Sequence, residues 1–201
     1  MSRINKHVER SERTRAELIS AGRELFSDRG YAKVSIEDVV RRAGVTRGAL
    51  YHQFPGGKED LFAAVFDDVE EGVMAGIADT LAEAGAEDPI AGVRAGIDAT
   101  LALALDPKLV RLTILDAPGV LGWEAWRAAG ERYGLGLVRA GLTAAMDAGE
   151  IPRAPVDPLA QLVLAAVEEA IVYVARADDP KLALEEARDA LNRLVDGLAS
   201  G

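Results

Sequence analysis

Apolar residues along this chain recur in steps of three and four, and no stretch alternates apolar with polar in the step of two that a strand requires. Leu18, Ile19, Gly22, Leu25 and Phe26 share one face of a helix predicted over about 11–28, with Gly30 placed to stop it. Ile36, Val39, Val40 and Ala43 repeat on a second, short helix. Ser35 is its N-cap, Asp38 serves its first turn and Gly44 is its left-handed stop. Thr46 caps a third helix that ends at Phe54. Leu61, Val65, Val69, Val73 and Ile77 then repeat every four residues along a fourth, predicted from Lys58 to about Ala84 and ~40 Å long at 1.5 Å per residue.

Four Asp-Pro pairs punctuate the remainder: Asp88-Pro89, Asp106-Pro107, Asp157-Pro158 and Asp179-Pro180. Asp is a strong N-cap and Pro is favoured at the first helical position, so each pair reads as a helix start. Helices are predicted near 88–105, 107–116, 123–148, 157–177 and 179–199, with APGVLG (117–122) and GEIPRAPV (149–156) as loops. The expected fold class is all-α.

Residues 35–54 make a short helix, a tight turn containing glycine and a second short helix, which is the helix-turn-helix pattern. At about 100° per residue, Ala49, Leu50, Gln53 and Phe54 fall on one side of the second helix, and Arg47, Gly48, Tyr51 and His52 on the other. Leu50 and Phe54 lock the helix onto its neighbours. The outer side suits DNA: Arg47 for a guanine edge or a phosphate, and Gly48 for close backbone approach. Thr46, Tyr51 and His52 have the hydrogen-bonding groups for phosphate oxygens. Thr14, Ser35 and Lys58 complete the candidate DNA contacts, Lys58 adding its charge to the dipole at the start of the fourth helix. For Thr14 a simple capping role is equally open. The basic residues Arg3, Lys6, Arg10, Arg13 and Arg15 read either as a DNA-contacting arm or as a frayed polar terminus.

Residues 14–66 resemble the DNA-binding domain of TetR-family transcriptional regulators. The resemblance rests on AGRELFSDRGY (21–31), SIEDV (35–39), AGVTRGALY (43–51) and on Phe54 followed by Lys58-Glu59-Asp60-Leu61. It covers about a quarter of the chain closely, and the helical remainder agrees in pattern. Family members commonly have two residues between that Phe and Lys; here Pro55, Gly56 and Gly57 make three. The resemblance implies an N-terminal three-helix helix-turn-helix domain followed by a C-terminal helical ligand-binding and dimerisation domain. The division is placed at 1–57 and 58–201, with helix 58–84 linking the two so that motion in the body swings the head.

Composition sharpens this picture. The 201-residue chain is 49% hydrophobic, ample for a core. Net charge is −10, but residues 1–66 hold 12 Lys+Arg against 9 Asp+Glu, so the acidic excess lies wholly in the remainder. Affinity for a polyanion depends on the local patch. The absence of cysteine excludes disulfides, thiolate zinc sites and a cysteine nucleophile. His7 and His52 are the only histidines, no GxxxxGK or GxGxxG cradle occurs, and no catalytic set assembles. No enzyme activity, metal or cofactor is expected. No apolar run approaches a membrane span and MSRINKHVERSERTR is not a secretory signal, so a cytoplasmic protein is expected.

Two further sets of residues are singled out. Trp123 and Trp126, with Tyr133, stand at the start of a long helix, where they suit either stacking on a ligand or internal packing. Glu168 could meet a cationic effector or be an ordinary solvated position. The resemblance implies a small-molecule pocket in the body and adds Met74, Leu112, Leu115 and Tyr173 to its candidate lining. Leu159, Val163, Ala166, Ala170 and Tyr173 form one stripe, and Leu184, Ala187, Leu191, Leu194 and Leu198 another. Such paired stripes suit a two-fold dimer interface or the protein's own core. The expected function is a dimeric, ligand-responsive DNA-binding regulator, a repressor released from a palindromic operator by a small molecule. An effector-independent DNA-binding protein, and a helical enzyme or carrier, are the alternatives.

Overall fold

The computed structural model describes residues 3–84 and 88–199, and no strand occurs among them. The helices are α1 (Arg3–Arg29), α2 (Ile36–Ala43), α3 (Arg47–Gln53), α4 (Lys58–Ala84), α5 (Pro89–Ala102), α6 (Pro107–Val110), α7 (Ala117–Leu121), α8 (Trp123–Gly130), α9 (Gly136–Asp147), α10 (Val156–Arg176) and α11 (Pro180–Ala199). A π-helical stretch, Arg111–Asp116, follows α6, and another, Glu131–Leu135, joins α8 to α9. The helix predicted over 123–148 is therefore continuous but underwound in its middle.

The capping chemistry explains most boundaries. The Ser35 hydroxyl accepts the Asp38 amide while the Asp38 carboxylate accepts the Ser35 amide, a reciprocal capping box. Gly44 ends α2 at φ +69°, and the Thr46 hydroxyl accepts the Ala49 amide at 3.2 Å. Asp88, Asp106 and Asp179 each accept two amides from the first turn that follows. Asp157 does not: α10 has already begun at Val156, and the Asp157 carboxylate instead accepts Arg139 Nε at 2.7 Å.

Three other expectations are corrected. The N-terminal segment is helical from Arg3, because it lacks any breaker and carries an i,i+4 pair, Arg13–Glu17, on its exposed side. Residues 117–121 are a helical turn, since Pro118 sits in its first turn, where no amide donor is needed; Gly122 at φ +84° then ends it. Finally, α10 is long and apolar enough by length and composition to cross a membrane, although Glu168 and Glu169 interrupt it.

The packing divides into two units, and the division falls within α4 rather than after Gly57. The first unit holds the residues up to Glu70 together with Arg111–Trp123. It buries Leu18, Phe26, Val34, Val39, Leu50, Phe54, Leu61, Phe62 and Val65, with Phe26, Phe62 and Tyr31 in edge and tilted ring contacts 5.1–5.7 Å apart. A Cβ on Gly22 would stand 2.9 Å from Val65 Cγ2, so glycine there lets α1 and α4 approach closely. Asp116 accepts the Tyr31 amide at 2.8 Å and Arg111 donates to the Asp28 carbonyl at 3.0 Å, pinning the end of α1.

The second unit holds Glu71–Val110 and the chain from Glu124 onward. One core packs Ile97, Leu101, Val167, Val174, Leu184 and Leu191 of α5, α10 and α11; another packs Leu135, Leu142, Met146, Ile151 and Ala160. Polar latches flank the first: Arg188 Nε donates to Asp98 at 2.7 Å, and Arg94 reaches Asn192 and Asp196.

Candidate nucleic-acid interface and ligand cavity

The two faces of α3 separate as their spacing requires. Leu50 and Phe54 are buried, while Arg47, Gly48, Tyr51 and His52 are exposed. Three contacts hold this helix. Gln53 Nε2 donates to Ser11 Oγ at 2.7 Å, the Arg15 guanidinium lies 4.7 Å over the Phe54 ring, and Gly57, at φ +72°, closes the following turn with its amide 2.8 Å from the Phe54 carbonyl. A Cβ on Gly57 would meet the Tyr51 ring at 3.2 Å, so that ring rests on glycine. The Asp60 carboxylate accepts the Gly56 amide at 2.6 Å. The three-residue linker thus forms an ordered turn.

The exposed face is already partly engaged. Arg47 donates to Glu37 at 2.6 Å and lies 5.6 Å over the Tyr51 ring. Both ends of the Arg47–Glu37 pair are well exposed, so opening it costs little. Gly48 has nothing in its way: a Cβ there would find only Thr46 Oγ1, at 3.9 Å. Nothing in the protein's own packing requires glycine at that position.

Two residues expected to contact DNA have partners within the protein. Lys58 turns inward: its ammonium donates to the Tyr31 and Val34 carbonyls, each at 3.0 Å, and lies 3.9 Å over the Tyr31 ring. These partners take up two of the three ammonium donors that were expected to meet a phosphate. The Ser35 hydroxyl is likewise taken up, donating to Asp38 Oδ2 at 2.8 Å. Thr14 lies half-buried on α1, and Thr46 is exposed beside its cap.

The second unit contains a cavity of about 290 Å³. Its walls come from α4, α5, α9, α10 and the 131–135 turn, chiefly Met74, Ile77, Val93, Ile97, Val163, Leu164 and Val167. Glycines 96, 134 and 141 also line it, and Thr100 contributes the one polar side chain among the described lining residues. Of the predicted effector contacts only Met74 lines this cavity. Leu112 is buried in the first unit, which also holds Leu115 and Trp123, 53% and 62% exposed. Trp126 and Tyr133 are half-buried elsewhere on α8 and its π-helical continuation. Glu168 pairs with Arg127 at 4.0 Å, and Tyr173 donates its hydroxyl to Glu186 at 2.7 Å. Periodicity placed these aromatics on plausible faces, but which face meets the cavity is decided by packing partners far away in the chain.

The two stripes divide as well. Leu184, Ala187 and Leu191 are core residues, and Leu159, Val163 and Leu198 pack against the core from its edge. Ala166, Ala170, Tyr173 and Leu194 line a shallow groove between α10 and α11. Leu162, 69% exposed, and Leu182 are exposed leucines one helical turn before the groove residues Ala166 and Glu186, outside what the stripes predicted.

A capped helix-turn-helix with a basic, hydrogen-bonding outer face, carried on a helical body with an apolar cavity, defines the class of helix-turn-helix DNA-binding proteins. Residues 18–65 match bacterial regulatory proteins of the tetR family, and residues 90–198 match the tetracyclin repressor-like C-terminal domain. The transcriptional regulator LmrA of Bacillus subtilis is 32% identical over 82 residues, 41% of this chain and 43% of that protein. TtgR of Pseudomonas putida is 37% identical over 68 residues, 34% of this chain and 32% of that one. The chain spans less than half the length of these curated relatives. A solved TetR-family regulator from Pectobacterium atrosepticum is 33% identical, with a TM-score of 0.77, covering 100% of this chain and 99% of that one. The chain belongs to the TetR family of DNA-binding transcriptional regulators. These matches are to regulators and not to enzymes.

Proposed function

We propose that this protein is a dimeric, cytoplasmic repressor that leaves a palindromic operator when a small molecule occupies its second unit. The observation that carries the reading is the outward face of α3, where Arg47, Gly48, Tyr51 and His52 stand exposed on a helix locked by Leu50 and Phe54. Arg47 exchanges Glu37 for a base edge or a phosphate, Gly48 admits the backbone to the groove, and Thr46, Tyr51 and His52 take phosphate oxygens. A second copy covers the groove between α10 and α11: Leu162, Ala166 and Tyr173 lie at helical spacing on one helix, Leu182, Ala190 and Leu194 on the other. Two heads then meet two half-sites about one helical turn apart. The ligand acts by binding one conformer of the dimer more tightly than the other. The cavity favours this over an effector-independent DNA-binding protein, whose body needs no internal space.

The test is a titration of labelled DNA from upstream of the protein's own gene, by fluorescence anisotropy at two salt concentrations, against random DNA of equal length. Tight, selective binding is expected. Arg47→Ala and Tyr51→Ala should each weaken it by about 1–3 kcal/mol while leaving dimerisation intact. Unchanged affinity in both variants would sink the assignment of this face.

A further inference from the structure

We infer that the cavity of the second unit receives an uncharged, compact, largely apolar molecule bearing one hydroxyl, such as a bicyclic phenol or a medium-chain alcohol, and that Thr100 accepts its hydrogen bond. This rests on reading the second unit as the ligand-receiving part of the protein.

The lining sets the charge of the guest. Ile77, Val93, Ile97, Val163, Leu164 and Val167 present hydrocarbon, and among the described lining residues no Lys, Arg, His, Asp or Glu appears. A carboxylate or ammonium group placed there loses its water and meets no counter-charge, which strongly disfavours it. Glu168, next to the lining residue Val167 on α10, is not part of the wall and is paired with Arg127. Size follows from volume. A cavity of ~150 Å³ lined by similar side chains holds one benzene ring. The 290 Å³ here therefore suits about a dozen non-hydrogen atoms.

Polarity follows from one hydroxyl. Thr100 Oγ1 donates its proton to the Gly96 carbonyl one turn back, at 2.7 Å, so towards the cavity it can only accept. A guest that donates an O–H satisfies it. A ketone, an ether or a carboxylate offers it nothing, and a plain hydrocarbon leaves it without that bond. Gly96 itself shows where the space lies, since a Cβ there would find only Leu81 Cδ2, at 4.0 Å.

The experiment is isothermal titration calorimetry on the full-length dimer with 2-naphthol, naphthalene, 2-naphthoate and protonated 2-naphthylmethylamine. One 2-naphthol should bind per chain, about tenfold more tightly than naphthalene and at least 100-fold more tightly than either ion. Thr100→Val should remove the preference over naphthalene without changing naphthalene affinity. Gly96→Leu, checked for native circular dichroism and unchanged DNA binding, should abolish binding of both. Should Gly96→Leu fail to fold, the Thr100→Val comparison decides alone. Binding of 2-naphthoate as tight as that of 2-naphthol, or no detectable 2-naphthol binding, would overturn the inference. Binding of 2-naphthol without release of operator DNA would instead overturn the ligand response proposed above and leave the cavity's chemistry standing. Release by 2-naphthoate and not by 2-naphthol would do the reverse.

Discussion

The first and second units solve opposite problems with the same kind of helix. The first fills its interior with large side chains, Phe26, Phe54 and Phe62 among them, and sends its polar groups outward as a display of exposed donors on α3. The second leaves space inside. Its cavity is lined by small and aliphatic residues, with open space beside Gly96, where the first unit has aromatic rings. A surface that must meet a rigid polyanion benefits from a filled, unyielding support. A region that must take in a guest needs unfilled volume, and forgoes the packing energy that volume would have supplied.

The largest expected effect tests the filled side of this contrast. Leu50→Ala empties a fully buried position under α3 and should cost about 2–5 kcal/mol. Hydrogen exchange read along the chain should show lost protection for α1–α3, with amides of α10 and α11 far less affected. Equal loss in both units would show that they unfold as one body and would break the comparison. Next in size is the groove between α10 and α11. Leu194→Asp places a charge on a side chain 60% exposed in the single chain, on the groove proposed to meet a second copy. Sedimentation should show dimer association weakened at least 100-fold in favour of monomer, with the monomer's helicity unchanged. A dimer that survives unaltered would move the interface elsewhere.

How much of each unit could be read beforehand follows the same divide. The head was legible because its determinants are local: Ser35 with Asp38, Gly44 and Thr46 each act within a few residues, and their geometry appears as expected. What was missed there is non-local. Lys58 finds the carbonyls of Tyr31 and Val34, more than twenty residues away, and no spacing rule connects them. Glu37 and Arg47 pair across the turn for the same reason. In the body the helix starts were readable from Asp-Pro chemistry, but the cavity was not. Gly96 leaves open space, since a Cβ there would find only Leu81 Cδ2 at 4.0 Å, whereas Gly134 and Gly141 let Leu164 and Val93 come close, and a gap has no residue to announce it. The aromatics drew attention instead, and they lie elsewhere.

Gly48 offers a smaller and sharper test. In the free protein it costs helix stability, since alanine at an exposed helical site is favoured by about 1 kcal/mol. Gly48→Ala should therefore raise the melting temperature by a few degrees and, if the backbone of α3 approaches DNA at this point, weaken operator binding about tenfold. Gains in both would place that face away from the DNA.

The smallest expected effect belongs to Glu168, a half-buried carboxylate of the body. The exposed ion pairs of the head, Arg47–Glu37 and Arg23–Asp68, keep their charges in water. At Glu168, burial pushes the carboxyl above its ordinary 4.5, with the charge of Arg127 opposing in part. A carboxyl whose folded-state pKa is raised stabilises the fold while protonated. That contribution is present below the unfolded value and is lost as pH rises through the folded one. Glu168→Gln keeps the shape, including the oxygen packed against Gly130, and removes the burial penalty. The variant should melt higher than the parent at pH 7, and the difference should shrink steadily as pH falls towards 4.5. A variant less stable than the parent at pH 7 would mean that the Arg127 pair outweighs burial, and that the second unit too is held by displayed charge.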